Sequence, residues 1–212
     1  MAVGSRRVLV VGCGPGAAEY VTDAARRAVA RAEVLAGSGR LLQLFPQHPG
    51  PRIATDGRIP AVADEIAALA RSGKTVAVLV AGDPGLYSFA RNVVAAVGVE
   101  QCEITPGVSS VQVAFARLGL DWAGARVLSA HGRTPETPIE ELGRWEKVAV
   151  LAGDRAAISW TAAAAERLRQ THAVWLCEDL TLPSERVRQL TPEELARTDA
   201  ASLAIVLLVR RT

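Results

Sequence analysis

Val8-Leu9-Val10-Val11-Gly12-Cys13-Gly14-Pro15-Gly16 is an apolar run that stops in a glycine-rich loop. No polar residue interrupts the run, as expected of a strand covered on both faces. Its glycines permit sharp turns and close approach of a ligand. The same pattern appears where residues 75–80 run into Gly82-Asp83-Pro84-Gly85, and where residues 102–105 run into Pro106-Gly107-Val108-Ser109-Ser110. In open α/β sheets the crevice beyond the strand carboxyl ends is the binding site, so these loops imply one ligand-lined edge.

Outward from these loops, strands are expected at 7–11, 32–35, 75–80 and 102–105, and helices at 17–30, 39–45, 59–71, 87–97 and 108–118. The passage around Pro46, Pro49 and Pro51 reads as loop. Strand and helix alternate as in a parallel sheet with right-handed crossovers. Beyond a hinge at 119–124 the rhythm changes. Strand candidates at 126–130, 147–151, 173–177, 186–189 and 203–209 are separated by fewer helices, the clearest at 156–170. That pattern implies a mixed sheet with at least one antiparallel pair. The expected architecture is therefore a two-lobed α/β fold, with a mainly parallel N-terminal lobe at 1–118 and a mixed C-terminal lobe at 119–212.

The composition, 50% hydrophobic with only 4% aromatic, supplies Ala, Val and Leu for helices packed on a sheet. A formal charge of +2 from 24 basic and 22 acidic residues leaves no basic stripe for nucleic acid. No apolar run is long enough to cross a bilayer, so no membrane partner is expected. Cys13, Cys102 and Cys177 are far apart and lack CxxC spacing, so neither a disulfide framework nor a protein-held metal is expected, and a cytoplasmic location fits.

Gly12-x-Gly14-x-Gly16 lacks the spacing of a dinucleotide fingerprint, and the chain has no nucleophile elbow, HExxH or Walker loop. Asp83 suits ribose hydroxyls or amines, the alternative being a cap for a helix beginning near Tyr87. Ser109 and Ser110 fall at a helix start. His131-Gly132-Arg133 puts an imidazole and a guanidinium at another strand end. His48 and His172 read as exposed loop or helix-end residues. Glu178-Asp179 reads as a solvated acidic turn or as a site for a cationic or hydroxyl-bearing group.

Val10–Gly16, Ala81-Gly82-Asp83-Pro84-Gly85-Leu86-Tyr87 and Pro106–Ser110 together resemble the S-adenosylmethionine-dependent tetrapyrrole methylases. Gly39-Arg40-Leu41-Leu42, residues 111–119, Ala130-His131-Gly132-Arg133, Glu178-Asp179-Leu180 and Pro183-Ser184-Glu185-Arg186 are similar to the branch that methylates precorrins at ring carbon 5 in cobalamin synthesis. The resemblance implies a cofactor, S-adenosyl-L-methionine, folded between the lobes. Gly82, Asp83, Leu86, Ser109 and Ser110 would line it, and Leu151 or Ala152 would touch it from the second lobe. It also implies that Gly12, Gly14, Pro15 and Gly16 face a small-molecule tetrapyrrole, in the company of Tyr87. On chemical grounds Arg40 and Arg133 suit the substrate carboxylates, and His131 is the candidate for catalysis at the transferred proton. Relatives are commonly homodimers, and some carry a fused domain that decarboxylates and methylates carbon 15, so a separate enzyme is expected to do that work. The rival readings are a relative acting on another precorrin position, a diphthamide precursor or ribosomal RNA, a non-catalytic binding module, and a dinucleotide oxidoreductase.

Overall fold

The computed structural model describes residues 6–55, 57, 59–132, 134–199 and 202–211, and divides into two compact units, Met1–Ser109 and Ser110–Thr212. The boundary falls earlier than the one expected after Leu118.

The first unit is built on strands β1 (Val8–Gly12), β2 (Val34–Gly37), β3 (Arg52–Ala54), β4 (Val76–Val80) and β5 (Cys102–Thr105), all parallel, in the order β3-β2-β4-β1-β5. Alternate residues of β1, β2 and β4 enter opposite cores. Leu9, Val11 and Leu79 pack with Ala25, Ala28 and Val29 of helix α1 (Asp23–Ala30) and with Leu41 and Leu42 of helix α2 (Gly39–Leu42). Val8, Val10, Val76, Val78 and Val80 pack with Val62 and Ile66 of helix α3 (Ile59–Arg71) and with Val93 of helix α4 (Ala90–Val97). Both faces of β1, β2 and β4 are covered, which is why these strands read as unbroken apolar runs. Each fully buried Val or Leu contributes about 1.5–3 kcal/mol.

Local chemistry moves several helix starts away from their expected positions. Helix α1 begins at Asp23 rather than near Ala17 because Thr22 caps it, its hydroxyl accepting from Ala25 N at 3.1 Å. Residues 18–20 form a separate 3₁₀ turn. Helix α4 begins at Ala90 rather than Tyr87, since Tyr87 holds a φ of +46° that no helix admits. The proline-rich passage hides β3, a short edge strand reached when Leu35 N donates to Pro51 O at 3.0 Å.

The second unit opens with helix α5 (Ser110–Arg117), continues through β6 (Arg126–Ser129) and a 3₁₀ segment (Ile139–Arg144), and reaches β7 (Lys147–Leu151) and helix α6 (Arg155–Arg167). There follow β8 (His172–Glu178), β9 (Arg186–Leu190), helix α7 (Pro192–Arg197) and β10 (Ala204–Arg210). The sheet order is β6-β7-β10-β8-β9. The β6–β7 pair is parallel and the remaining pairs are antiparallel, making the sheet mixed. Leu176, Val150, Val206 and Leu208 form its core with Ala157, Ile158 and Ala165 of α6 and Leu195 of α7. Among the described residues no helix is long and apolar enough to cross a membrane.

Candidate functional site

Strand β1 lies between β4 and β5, so the three glycine-bearing loops leave the parallel sheet side by side at its carboxyl edge. The first two are joined main chain to main chain. Cys13 N donates to Val80 O at 2.9 Å, Gly82 N to Gly14 O at 2.8 Å, and Gly14 N to Gly82 O at 3.3 Å. A Cβ on Gly12 would stand 2.6 Å from Gly107 N and 2.8 Å from Pro84 Cδ, and one on Gly107 would fall on Gly82 O. Glycine at these positions is a packing requirement. Gly12, Gly14, Pro15 and Gly16 are all buried, so this loop is the floor of the cluster.

Asp83 fastens the second loop to the third. Its Oδ1 accepts from Gly85 N at 2.8 Å and its Oδ2 from Gly107 N at 3.1 Å. The helix-cap alternative for Asp83 does not hold, since α4 starts seven residues later and Ser88 Oγ accepts from Ala90 N instead. Leu86 is half-buried and closes the turn through its N–H to Asp83 O at 3.2 Å. Tyr87 is 49% exposed in a left-handed conformation, a strained arrangement of the kind that gathers at functional sites. Ser109 is buried immediately ahead of α5, and Ser110 is the first residue of that helix. Arg40, in α2, is half-buried near the first loop. Its charge acts on Cys13, whose thiol burial pushes up to about 12.

In the second unit the parallel strands β6 and β7 release their loops together. Ala130 N donates to Leu151 O at 3.0 Å, and Ala152 N to Ala204 O at 2.9 Å. Ala152 is buried and Leu151 half-buried at this strand end. His131 is exposed, with Nδ1 3.6 Å from Asp154 Oδ2. Asp154 accepts from Gly132 N and, as N-cap of α6, from Ala157 N, each at 2.8 Å. These hydrogen bonds, that of Ala157 first, hold its carboxyl below the ordinary carboxylate value. The sequence reading missed Asp154, although an Asp directly before an alanine-rich helix is an N-cap signal. Arg133 lies outside the described residues.

Glu178 is not in a solvated turn. It ends β8 with 0% side-chain exposure, paired with Arg186 at 3.3 Å and Arg188 at 2.8 Å, because antiparallel β9 brings both guanidiniums to its face. His172 is buried, Nε2 lying 2.9 Å from Trp145 O and Nδ1 2.8 Å from Thr171 Oγ1. His48 is half-buried and braces a turn, Nδ1 accepting from Gly50 N at 3.1 Å and Nε2 donating to Ala32 O at 2.9 Å. Directly after Glu178, Asp179 and Thr181 have φ of +49° and +70°, in a turn clasped by Glu185, which also receives a two-pronged bond from Arg117 at 2.6 and 3.1 Å.

Residues 7–196 match the family described as tetrapyrrole (corrin/porphyrin) methylases. The chain is 34% identical over 203 residues to the cobalt-precorrin-7 C(5)-methyltransferase of Salmonella typhimurium, covering 95% of this chain and 98% of that one. It is 29% identical over 156 residues to the decarboxylating precorrin-6Y C(5,15)-methyltransferase of Mycobacterium tuberculosis, covering 70% of this chain and 37% of the relative. The crystal structure of a cobalamin biosynthesis precorrin-6Y methylase from Archaeoglobus fulgidus superposes with a TM-score of 0.71 at 27% identity, covering 98% of this chain and 100% of that one. The match of sequence and of fold, at this coverage, makes the chain a member of the tetrapyrrole methylases.

Proposed function

We propose that this chain methylates ring carbon 5 of a late precorrin or cobalt-precorrin in cobalamin biosynthesis, with S-adenosyl-L-methionine as donor. The observation that carries the reading is the near end-to-end match to a carbon-5 methyltransferase, combined with a carboxyl edge built from the three loops.

Gly12 and Gly107 pack main chain against main chain where a Cβ would clash, and Asp83 is fixed by two backbone N–H groups, so the loop cluster would give the donor a rigid main-chain surface. Gly82, Asp83, Leu86 and Ser109 are assigned to hold the donor in the first unit, and Ser110, Leu151 and Ala152 in the second. A sulfonium supplies an electrophilic methyl group to an electron-rich carbon. The protein's part is chiefly alignment, which contributes on the order of 7–11 kcal/mol, more than one positioned acid or base. Arg40 and Arg133 are assigned to the carboxylates of the macrocycle, for which a planar guanidinium fork is suited. Tyr87 is assigned to its face, and the Gly12, Gly14, Pro15 and Gly16 loop to the floor beneath it. His131 is assigned to the proton that leaves. A cytoplasmic homodimer, with a carbon-15 decarboxylating enzyme acting on the same pathway, completes the reading.

The test is single-turnover mass spectrometry with methyl-labelled donor and a panel of late precorrins, with and without cobalt. Label at carbon 5 is expected. Label at another carbon overturns the acceptor, and donor binding without transfer to any of them overturns the activity.

A further inference from the structure

The loops after β6 and β7 leave the second unit's sheet together, bringing His131 beside Gly153 and Asp154. Asp154 is held from two directions. Oδ1 accepts from Ala157 N and Oδ2 from Gly132 N, so the carboxylate cannot rotate without giving up a main-chain bond. A Cβ on residue 153 would stand 2.4 Å from Ser202 O and 2.8 Å from His131 Nδ1, so glycine is required there by the carbonyl, and the imidazole edge lies against the same space. The ring therefore presents Nδ1 to a fixed carboxylate at 3.6 Å and keeps Nε2 on its opposite edge, with the side chain 63% exposed. Capping α6 needs one oxygen of Asp154. The second oxygen is placed between the Gly132 N–H and the imidazole.

We propose that Asp154 is a positioning residue for His131, holding the imidazole in the Nδ1–H tautomer so that Nε2 carries the lone pair that accepts the reaction proton. This rests on the function proposed above. At 3.6 Å the pair stands just beyond hydrogen-bond distance, and the negative charge of a fixed carboxylate facing Nδ1 favours a proton over a lone pair on that nitrogen, which is the form that acts through Nε2. Methyl transfer forms one carbon–carbon bond from an electron pair of the macrocycle and breaks one sulfur–carbon bond whose electrons stay on sulfur. The methylated macrocycle then releases one proton, which Nε2 accepts. The resulting imidazolium faces the Asp154 carboxylate across Nδ1–H.

The test uses the full chain, first without ligands. With ¹⁵N-labelled histidine rings, and the signals assigned by His131→Ala, the neutral His131 ring is expected as the Nδ1–H tautomer in the wild type. In Asp154→Asn and Asp154→Ser, which both keep an N-cap acceptor, it is expected to move toward Nε2–H. In methyl-transfer assays with cobalt-precorrin-7 these variants should lose about tenfold in kcat with KM for the macrocycle little changed, a part of the 10²- to 10⁴-fold a positioned base contributes. In a His131→Ala background Asp154→Asn should cost nothing further. An Nε2–H ring in the wild type, or an equal loss from Asp154→Asn with and without His131, overturns the proposal. A wild type that transfers no methyl group to any late precorrin overturns the proposed function, and the role of Nε2 with it, whatever the tautomer.

Discussion

The Gly107 N–H donates to Asp83 Oδ2 at 3.1 Å, so a carboxylate after β4 holds the main chain after β5, a strand with which β4 does not pair. A hydrogen bond to a charged acceptor contributes about 1.5–3 kcal/mol, less where water reaches it, as at half-exposed Asp83. Asp83→Ala should cost about 1–2 kcal/mol in urea unfolding. It should also weaken S-adenosylhomocysteine binding by calorimetry, because two loops lose their common fastening. Unchanged stability would show that the clip is not formed in solution.

The contact between Gly12 and Gly107 leaves no room for a methyl group. Gly107→Ala drives a carbon onto a carbonyl oxygen, and overpacking of this kind costs about 1–3 kcal/mol. Gly143→Ala is the matched control, its new carbon meeting only Leu168 Cδ2 at 3.4 Å. The first should lower Tm by several degrees in calorimetry and the second should leave it nearly unchanged.

Glu178 is buried between two arginines that reach water, and removing one partner of a buried pair costs about 3–5 kcal/mol when the other is also buried. Arg186 and Arg188 can be rehydrated, so Glu178→Gln should cost about 2–3 kcal/mol, at or just below the bottom of that scale. Arg188→Ala alone should cost less, since Arg186 still covers the carboxylate. Chemical denaturation of both variants orders them.

Acid should loosen the clasp at Glu185. The Arg117 side chain, by hydrogen bonding first, holds the Glu185 carboxyl below its ordinary value of 4.5. A folded value below the unfolded one makes the contribution complete above 4.5 and lost as pH falls through the folded value. The difference in unfolding free energy between wild type and Glu185→Gln, about 1 kcal/mol at neutral pH by urea titration, should therefore close as the buffer is taken below the ordinary carboxylate range.

The parallel sheet was legible because its strands are covered on both faces, and the resulting apolar runs of 8–12 and 76–80 stand out in any window. The loops that follow were legible for the same reason, being the first small residues after each run. Strand β3 was not, since three residues at a sheet edge among prolines carry no periodicity. Helix α7 did leave a signal, the capping box Thr191-Pro192-Glu193-Glu194, where the hydroxyl and Glu194 exchange bonds with each other's main chain, but six residues are too few to show a period. Glu178 misled because its partners come from the next strand, a pairing known only once the hairpin is formed. Asp154 was passed over because its cap is local while its second oxygen serves a loop 22 residues away.

Strand β10 is made after every other strand of its sheet, yet it lies between β7 and β8. A ribosome can therefore release the parallel sheet of the first unit as a finished object while β6 through β9 still wait. Until residues 204–210 emerge, β7 and β8 each have an unfilled edge, and intermediates with such edges are prone to aggregate. The nascent second unit thus depends for its closure on the seven residues of β10, which join the strand bearing Leu151 to the strand bearing Glu178.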